Sequence, residues 1–168
     1  LAFLNVTSFS KNYLTASQMA REAIEVVRNK RDENWLNNKI FDYLNSTTKL
    51  RDVDQAIIEF PDSSFNGQFI IKPINTGMDN CITTDIVEQS CQLHFFSNDN
   101  LNLYGNGSLG GSTGEAVNFY RLLTFTAIKC EDAVFNDWIG SVCNEGETIG
   151  LEVKATVKWY KNDQLQSV

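Results

Sequence analysis

The sequence predicts an α+β domain, with one long N-terminal α-helix packed on an antiparallel β-sheet and disulfide-stapled loops. Three observations predict it. Apolar residues first recur at three- and four-residue steps and later at every second position. The helical pattern comes first and the strands follow, with no βαβ alternation. Four cysteines, Cys81, Cys91, Cys130 and Cys143, lie at short separations in the later part of the chain. At 168 residues, 42% hydrophobic and 21% charged, the chain is long enough to bury a core in a single domain. Residues 1–30 are expected to be helix and 31–168 a globular head that forms one domain with it.

In the helix, Ala16, Ala20, Ala23, Ile24 and Val27 make a narrow apolar stripe. The opposite face carries Arg21, Glu22, Glu25 and Arg28, with Arg21–Glu25 and Glu25–Arg28 within pairing reach. Thr15 and Gln18 have the spacing of a capping box, so a break near residues 12–15 is allowed. Upstream, Leu1, Phe3, Leu4, Val6 and Phe9 are too apolar for a free terminus and are expected against a partner or a membrane. "NWLNNKIFDYLNSTTK" reads as a short amphipathic helix using Trp35, Ile40, Phe41 and Leu44.

Thereafter the period is two. "QAIIEF" and "GQFIIK" read as strands around the turn "PDSSFNG", and "CQLHFF" as another. "NFYRLLTFTAIKC" and "TIGLEVKATVKWY" are the longest strands. The second alternates cleanly, with Ile149, Leu151, Val153, Ala155, Val157 and Trp159 on the face assigned to the core. Between them, "SNDNLNLYGNGSLGGSTGE" reads as a long glycine-rich loop, a length that suits binding or mobility. "KNDQLQSV" stops where a further strand would be starting.

A net charge of −7 argues against nucleic acid, which needs a basic patch. Arg21, Arg28, Lys30 and Arg31 do cluster, but Glu22, Glu25, Asp32 and Glu33 are interleaved with them, the pattern of a solvated helix face. The cysteines are expected in two disulfides, Cys81–Cys91 with Cys130–Cys143 being the simplest of three pairings. Their spacing lacks the close pairs of a zinc site, and disulfides imply an oxidising compartment. His94 is the single histidine and sits in a strand, where a structural role is expected. Neither a phosphate-binding G-x-x-x-x-G-K-[ST] nor H-E-x-x-H occurs, and no enzymatic activity, cofactor or resident metal is expected. Asp79 and Asp99, among asparagines and glycines, are the calcium candidates, although turn chemistry explains those residues equally well. Asn5, Asn45 and Asn106 begin N-x-[ST] triplets. No signal peptide and no run of 18 apolar residues is visible; if the protein is exported, its export signal lies upstream of Leu1.

The most informative run is "ASQMAREAIEVVRNKRDENWL". It resembles the segment that follows the membrane helix in bacterial type IV pilin-like proteins, where A-x-x-x-A-R-E-(G/A)-I-E-x-V-R-x-x-R-D-x-N-W leads from helix to head. Ala16, Ala20, Arg21, Glu22, Ala23, Ile24, Glu25, Val27, Arg28, Arg31, Asp32, Asn34 and Trp35 match it. "FYRLLTF", with Arg121, resembles the family's F-x-R-x-I-x-I strand, and "VKATVKWYKND", with Trp159, its closing V-x-V-x-W strand. Residues 60–117 match nothing in the family and would be the variable head.

The resemblance implies a pilin-like or pseudopilin-like structural subunit, minor-pilin-like in its motif, held in the inner membrane by an upstream helix before assembly into a cell-surface filament. Other pilin or pseudopilin subunits would be its partners. Leu1, Phe3, Leu4, Val6 and Phe9 would face neighbouring helices, and Ala20, Ile24, Val27, Trp35, Val157 and Trp159 would join helix to sheet. The family's basic leader, peptidase site and N-terminal glutamate are not in this sequence, and Leu1–Phe9 would be the tail of its apolar segment. The alternative is a secreted carbohydrate- or protein-binding module using Ser97–Glu115. A carboxylate-dependent hydrolase is the third reading.

Overall fold

The computed structural model describes residues 2–45, 47–59, 69–74, 91–98, 101–106, 108–109, 112–130, 145–161 and 163–168. Helix α1 spans Ala2–Leu36 without interruption, six residues beyond the expected boundary. No break occurs at residues 12–15. The Thr15 hydroxyl donates back to the Lys11 carbonyl at 2.9 Å, a bond that keeps threonine within a helix rather than capping a new one.

The helix stops in a Schellman turn. Asn38 takes the left-handed conformation at φ 53°. Its amide donates to the Trp35 carbonyl at 3.0 Å, and the Lys39 amide to the Asn34 carbonyl at 2.8 Å. The short helix expected over residues 34–49 does not form. The buried Asn34 side chain instead donates to the carbonyls of Phe41 and Tyr43, at 3.1 and 2.6 Å, and folds the segment back against the helix end. Asn45 turns the chain again by accepting from the Thr47 and Thr48 amides at 2.9 and 2.8 Å. A single 3-10 turn at Leu50–Asp52 then leads into the sheet.

The strands are β1 (Gln55–Glu59), β2 (Ile70–Ile74), β3 (Gln92–Asn98), β4 (Leu101–Gly105), β5 (Ser108–Leu109), β6 (Ser112–Thr113), β7 (Glu115–Lys129), β8 (Thr148–Lys161) and β9 (Gln164–Ser167). Strand β7 organises the seven-stranded sheet. Along one edge it pairs β8 from Tyr120↔Lys158 to Lys129↔Thr148. Its other edge is shared, by β3 near Glu115–Tyr120 and by β1 at Leu123 and Thr124. Strands β2, β4 and β9 extend the sheet from β1, β3 and β8. Every one of these ladders is antiparallel. The residues expected as a long loop, Ser97–Glu115, hold β4 and the separate β5–β6 ladder. Gly114 is needed there for close approach: a Cβ would lie 2.6 Å from the Phe95 carbonyl oxygen and 2.9 Å from the Phe96 ring. Within "KNDQLQSV", Gln164–Ser167 forms β9, and Val168 after it exchanges backbone bonds with Val157 at 2.9 and 3.0 Å.

Helix α1 lies across β7 and β8. Its buried seam is Ala16, Met19, Ala23 and Val27. Ala16 and Met19 pack with Leu93, Val157 and Trp159, and Ala23 and Val27 with Leu50, Val53, Ile58 and Phe125. Val27, Val157 and Trp159 are therefore in the core as expected. Ala20 and Ile24, one position round the helix from the seam, are partly buried. Trp35 is not in the core. It lies beyond the sheet in the last helical turn, is 66% exposed, and has the Arg31 guanidinium 5.7 Å over its ring. Behind the sheet, Ile57, Leu122 and Cys91 form a smaller buried cluster.

Neither Cys91 nor Cys130 is a free thiol, and both are buried. No disulfide joins two described residues, since Cys81 and Cys143 lie outside them.

The two tryptophans should separate in unfolding experiments. Trp159→Ala is expected to cost about 3–5 kcal/mol, and Trp35→Ala to stay within about 0.5 kcal/mol of wild type. Urea titration followed by far-UV circular dichroism measures both, and comparable losses would restore Trp35 to the core.

Candidate functional site

Three places hold chemistry that the sheet and helix position deliberately: a buried charge between them, the end of α1, and residues 10–15 of α1, ahead of its buried seam. The first centres on Arg121, mid-strand in β7 and 1% exposed. Its alternation with Leu123 and Phe125 turns it toward the helix. Nη1 donates to the Met19 carbonyl and to Glu22 Oε1, both at 3.3 Å, and Nη2 to the Tyr104 carbonyl at 3.2 Å. One side chain thereby joins α1, β4 and β7. Nε is buried with no hydrogen-bond partner among the described residues. Burial pushes the guanidinium pKa down, and the Glu22 carboxylate opposes that shift.

At the far end of α1 a second ion pair fixes the returning chain. Asp42 is fully buried and takes two bonds from Arg51, one from Nε and one from Nη2 at 3.1 Å. The hydrogen bond to Asp42 raises the Arg51 pKa. The backbone is tied at the same point, where the Leu50 amide donates to the Asp42 carbonyl at 2.7 Å. Two recesses flank this pair. One, of about 260 Å³, has an apolar floor that includes Ile24, Val27, Leu151 and Val153, with Arg28 and Arg31 at its rim. The other, of about 490 Å³, lies between Lys30, Asn34 and the segment from Asn38 to Asn45.

At the start of α1, none of residues 10–15 is buried. Tyr13 is 45% and Leu14 61% exposed. The helix backbone continues back to Ala2, carrying Phe3, Leu4, Val6 and Phe9, whose side chains, with the whole of Leu1, fall outside the described residues. Among the described residues no helix is long and apolar enough to cross a membrane.

No family model, no curated protein and no solved structure matches the chain. The pilin resemblance therefore rests on the residues quoted for it.

The remaining expectations distribute as follows. Asp79 and Asp99, the calcium candidates, lie outside the described residues, and among those described no cluster of metal-ligating side chains occurs. His94 pairs Gly105 and Ala116 in the sheet, and its Nδ1 is buried without a hydrogen-bond partner among the described residues. Of the N-x-[ST] asparagines, Asn45 is exposed. Asn106 is 1% exposed and donates to the Gln92 carbonyl at 3.0 Å, so its amide is closed to any glycan in the folded chain. Sequence reasoning missed the roles of Asn34, Asp42 and Arg121. A signal did exist for Arg121: it is one charged residue between Phe119–Tyr120 and Leu122–Leu123, and such a position demands a partner across the core.

The Arg121–Glu22 pair is separable by a double-mutant cycle. Glu22→Gln, which leaves a buried guanidinium without a counter-charge, is expected to cost about 1–3 kcal/mol, less than a fully buried pair because Glu22 is part-exposed. In an Arg121→Met background the same change should cost about zero, and Arg121→Ala should be worse than Arg121→Met because it also leaves a cavity. Equal Glu22→Gln costs in both backgrounds would mean that the pair is not coupled.

Proposed function

We propose that this protein is a structural subunit of a bacterial type IV pilus-like or type II secretion-like filament. It polymerises through its N-terminal helix and presents the sheet as its head. Before assembly it is held at the inner membrane by an upstream helix, and afterwards it stands at the cell surface. Other pilin or pseudopilin subunits are its partners, and its role is structural rather than catalytic. Cys81–Cys91 and Cys130–Cys143 staple loops of the head.

The observation that carries this reading is the mismatch between the helix and its own sheet. Among the residues of α1 whose side chains are described, none of residues 10–15 is buried and the first buried one is Ala16. At about 1.5 Å per residue, residues 10–15 make roughly 9 Å of helix with no buried side chain. That stretch displays Tyr13 and Leu14 to solvent and is continuous with Phe3, Leu4, Val6 and Phe9. A helix face of this kind gains stability by packing against another helix, since propensity alone holds little. The A-R-E-x-I-E…R-D-x-N-W run, at the place where α1 leaves that stretch for the sheet, supports the same reading.

Two experiments test it. In the native gene, an upstream leader and apolar helix are expected; a conventional cleaved signal peptide with no retained helix would remove the proposal. In the full-length protein within its host, the Phe9→Asp/Leu14→Asp double variant should vanish from sheared filaments while the head's thermal midpoint stays within about 2 °C. Wild-type incorporation of that variant would argue against assembly through this helix. Peptide mapping without reductant should recover the two proposed disulfides, and either of the other pairings would redraw the head.

A further inference from the structure

The 490 Å³ cleft at the end of α1 has the size of a small-ligand site. Its walls are rich in donors for a chain of net charge −7: Lys30 and Lys39, the amides of Asn34, Asn38 and Asn45, and the Tyr43 ring. Some of these groups are committed. Asn34 Nδ2 holds the Phe41 and Tyr43 carbonyls, and Lys30 pairs with Glu33 at 3.0 Å. The Lys30 pair is exposed on the Glu33 side and exchanges easily. Others are uncommitted among the described residues. Asn45 Oδ1 accepts from Thr47 and Thr48, which pins the amide plane and leaves the Nδ2 hydrogens unused. The side chains of Asn38 and Lys39 make no hydrogen bond among the described residues.

The local field also favours a negative group. Helix C-termini ordinarily repel anions, but here the Asn37, Asn38 and Lys39 amides cover the Glu33, Trp35 and Asn34 carbonyls. Lys49 adds a third ammonium, 5.5 Å from the Tyr43 ring centroid. Ile40 and Leu44 line the cleft as well, and a simple inorganic anion would use neither.

We propose that this cleft binds an acidic saccharide. The sugar carboxylate lies at Lys39 and Lys30, one hydroxyl accepts from Asn45 Nδ2 while another exchanges hydrogen bonds with the Asn38 amide, and its C–H face rests on Ile40, Leu44 and Tyr43. The Asn38 amide suits this role because it donates and accepts at once, as adjacent ring hydroxyls do. The proposal is independent of the filament reading, since it needs only the folded head.

The test is an NMR titration of the whole ¹⁵N-labelled chain with an oligouronate. Parallel arms use the neutral oligosaccharide of the same linkage, an oligoglutamate peptide and inorganic sulfate. Oligouronate is expected to shift amides within residues 30–45, with the neutral sugar about tenfold weaker and the affinity falling as salt rises. Lys39→Gln and Asn45→Ala, both at exposed positions, should each weaken binding by about three- to tenfold, with Lys11→Gln, exposed toward the opposite end of α1, unchanged. The absence of shifts at millimolar oligouronate would overturn the proposal. So would equal binding of sulfate or oligoglutamate, or a Lys39→Gln variant that binds as wild type does.

Discussion

The position of the helix on its sheet depends on one buried guanidinium. Taking a charge out of water costs several kcal/mol unless the protein returns the lost interactions, and Arg121 recovers them from α1 and β4 at once. The Met19 carbonyl and the Glu22 carboxylate lie within a single turn of α1, so Arg121 constrains both the axial position and the rotation of that helix. A slip of one turn, about 5.4 Å, would withdraw the carboxylate and leave the charge stranded. Apolar packing has no such directional demand. The stripe of alanines and aliphatics on α1 would tolerate seating on Ala20 and Ile24 as readily as on Met19 and Ala23. The ion pair gives the reason for the seam that is seen.

A second constraint is solved by asparagine. Strands β1 and β3 share one edge of β7, which leaves their ends to be joined without a continuous ladder. Asn106 fills that junction. Its amide donates to the Ile58 carbonyl at 2.9 Å and its side chain to the Gln92 carbonyl at 3.0 Å, so one residue satisfies a backbone acceptor on each strand. Asn34 does the same for the segment after α1, and Asn45 for the next turn. In each case a short amide takes the part of a peptide group where the backbone cannot reach.

These two devices also explain which parts of the fold could be read from the residues. The alternation in Ile149–Trp159 is unambiguous because one face is polar, and Val157 and Trp159 are buried as read. Helix-first order and the strands at Gln55, Gln92 and Asn118 follow from period alone. Trp35 defeated the same reasoning. Helical spacing places it near the apolar stripe, but nothing in spacing tells where the sheet beneath ends. The segment after it was misread because Trp35, Ile40, Phe41 and Leu44 imitate a helical period. The decisive groups were the Asn34 side chain and the left-handed Asn38, which act through particular hydrogen bonds rather than periodicity. Strand β4 and the small β5–β6 ladder were missed for a related reason: they are short and glycine-rich, and they gain their order by pairing.

The helix thus has two regions with different sources of stability. From Ala16 to Asn34 it is held by tertiary contacts: an apolar seam, a buried ion pair, and an asparagine clamp at its end. Over residues 10–15, none of them buried, it is held by its own ladder, extended from a segment already nucleated. Extension adds one hydrogen bond for each residue fixed, a nearly balanced exchange in water, so the first region keeps its shape at small cost and gains little by it. Large apolar side chains such as Leu14, exposed on a helix of that kind, represent unburied surface worth about 25 cal/mol for each Å² that a partner covers. A partner helix laid on that face would realise this burial. Because Arg121 and Asn34 fix the other end independently, a neighbour could engage the first region without disturbing the head.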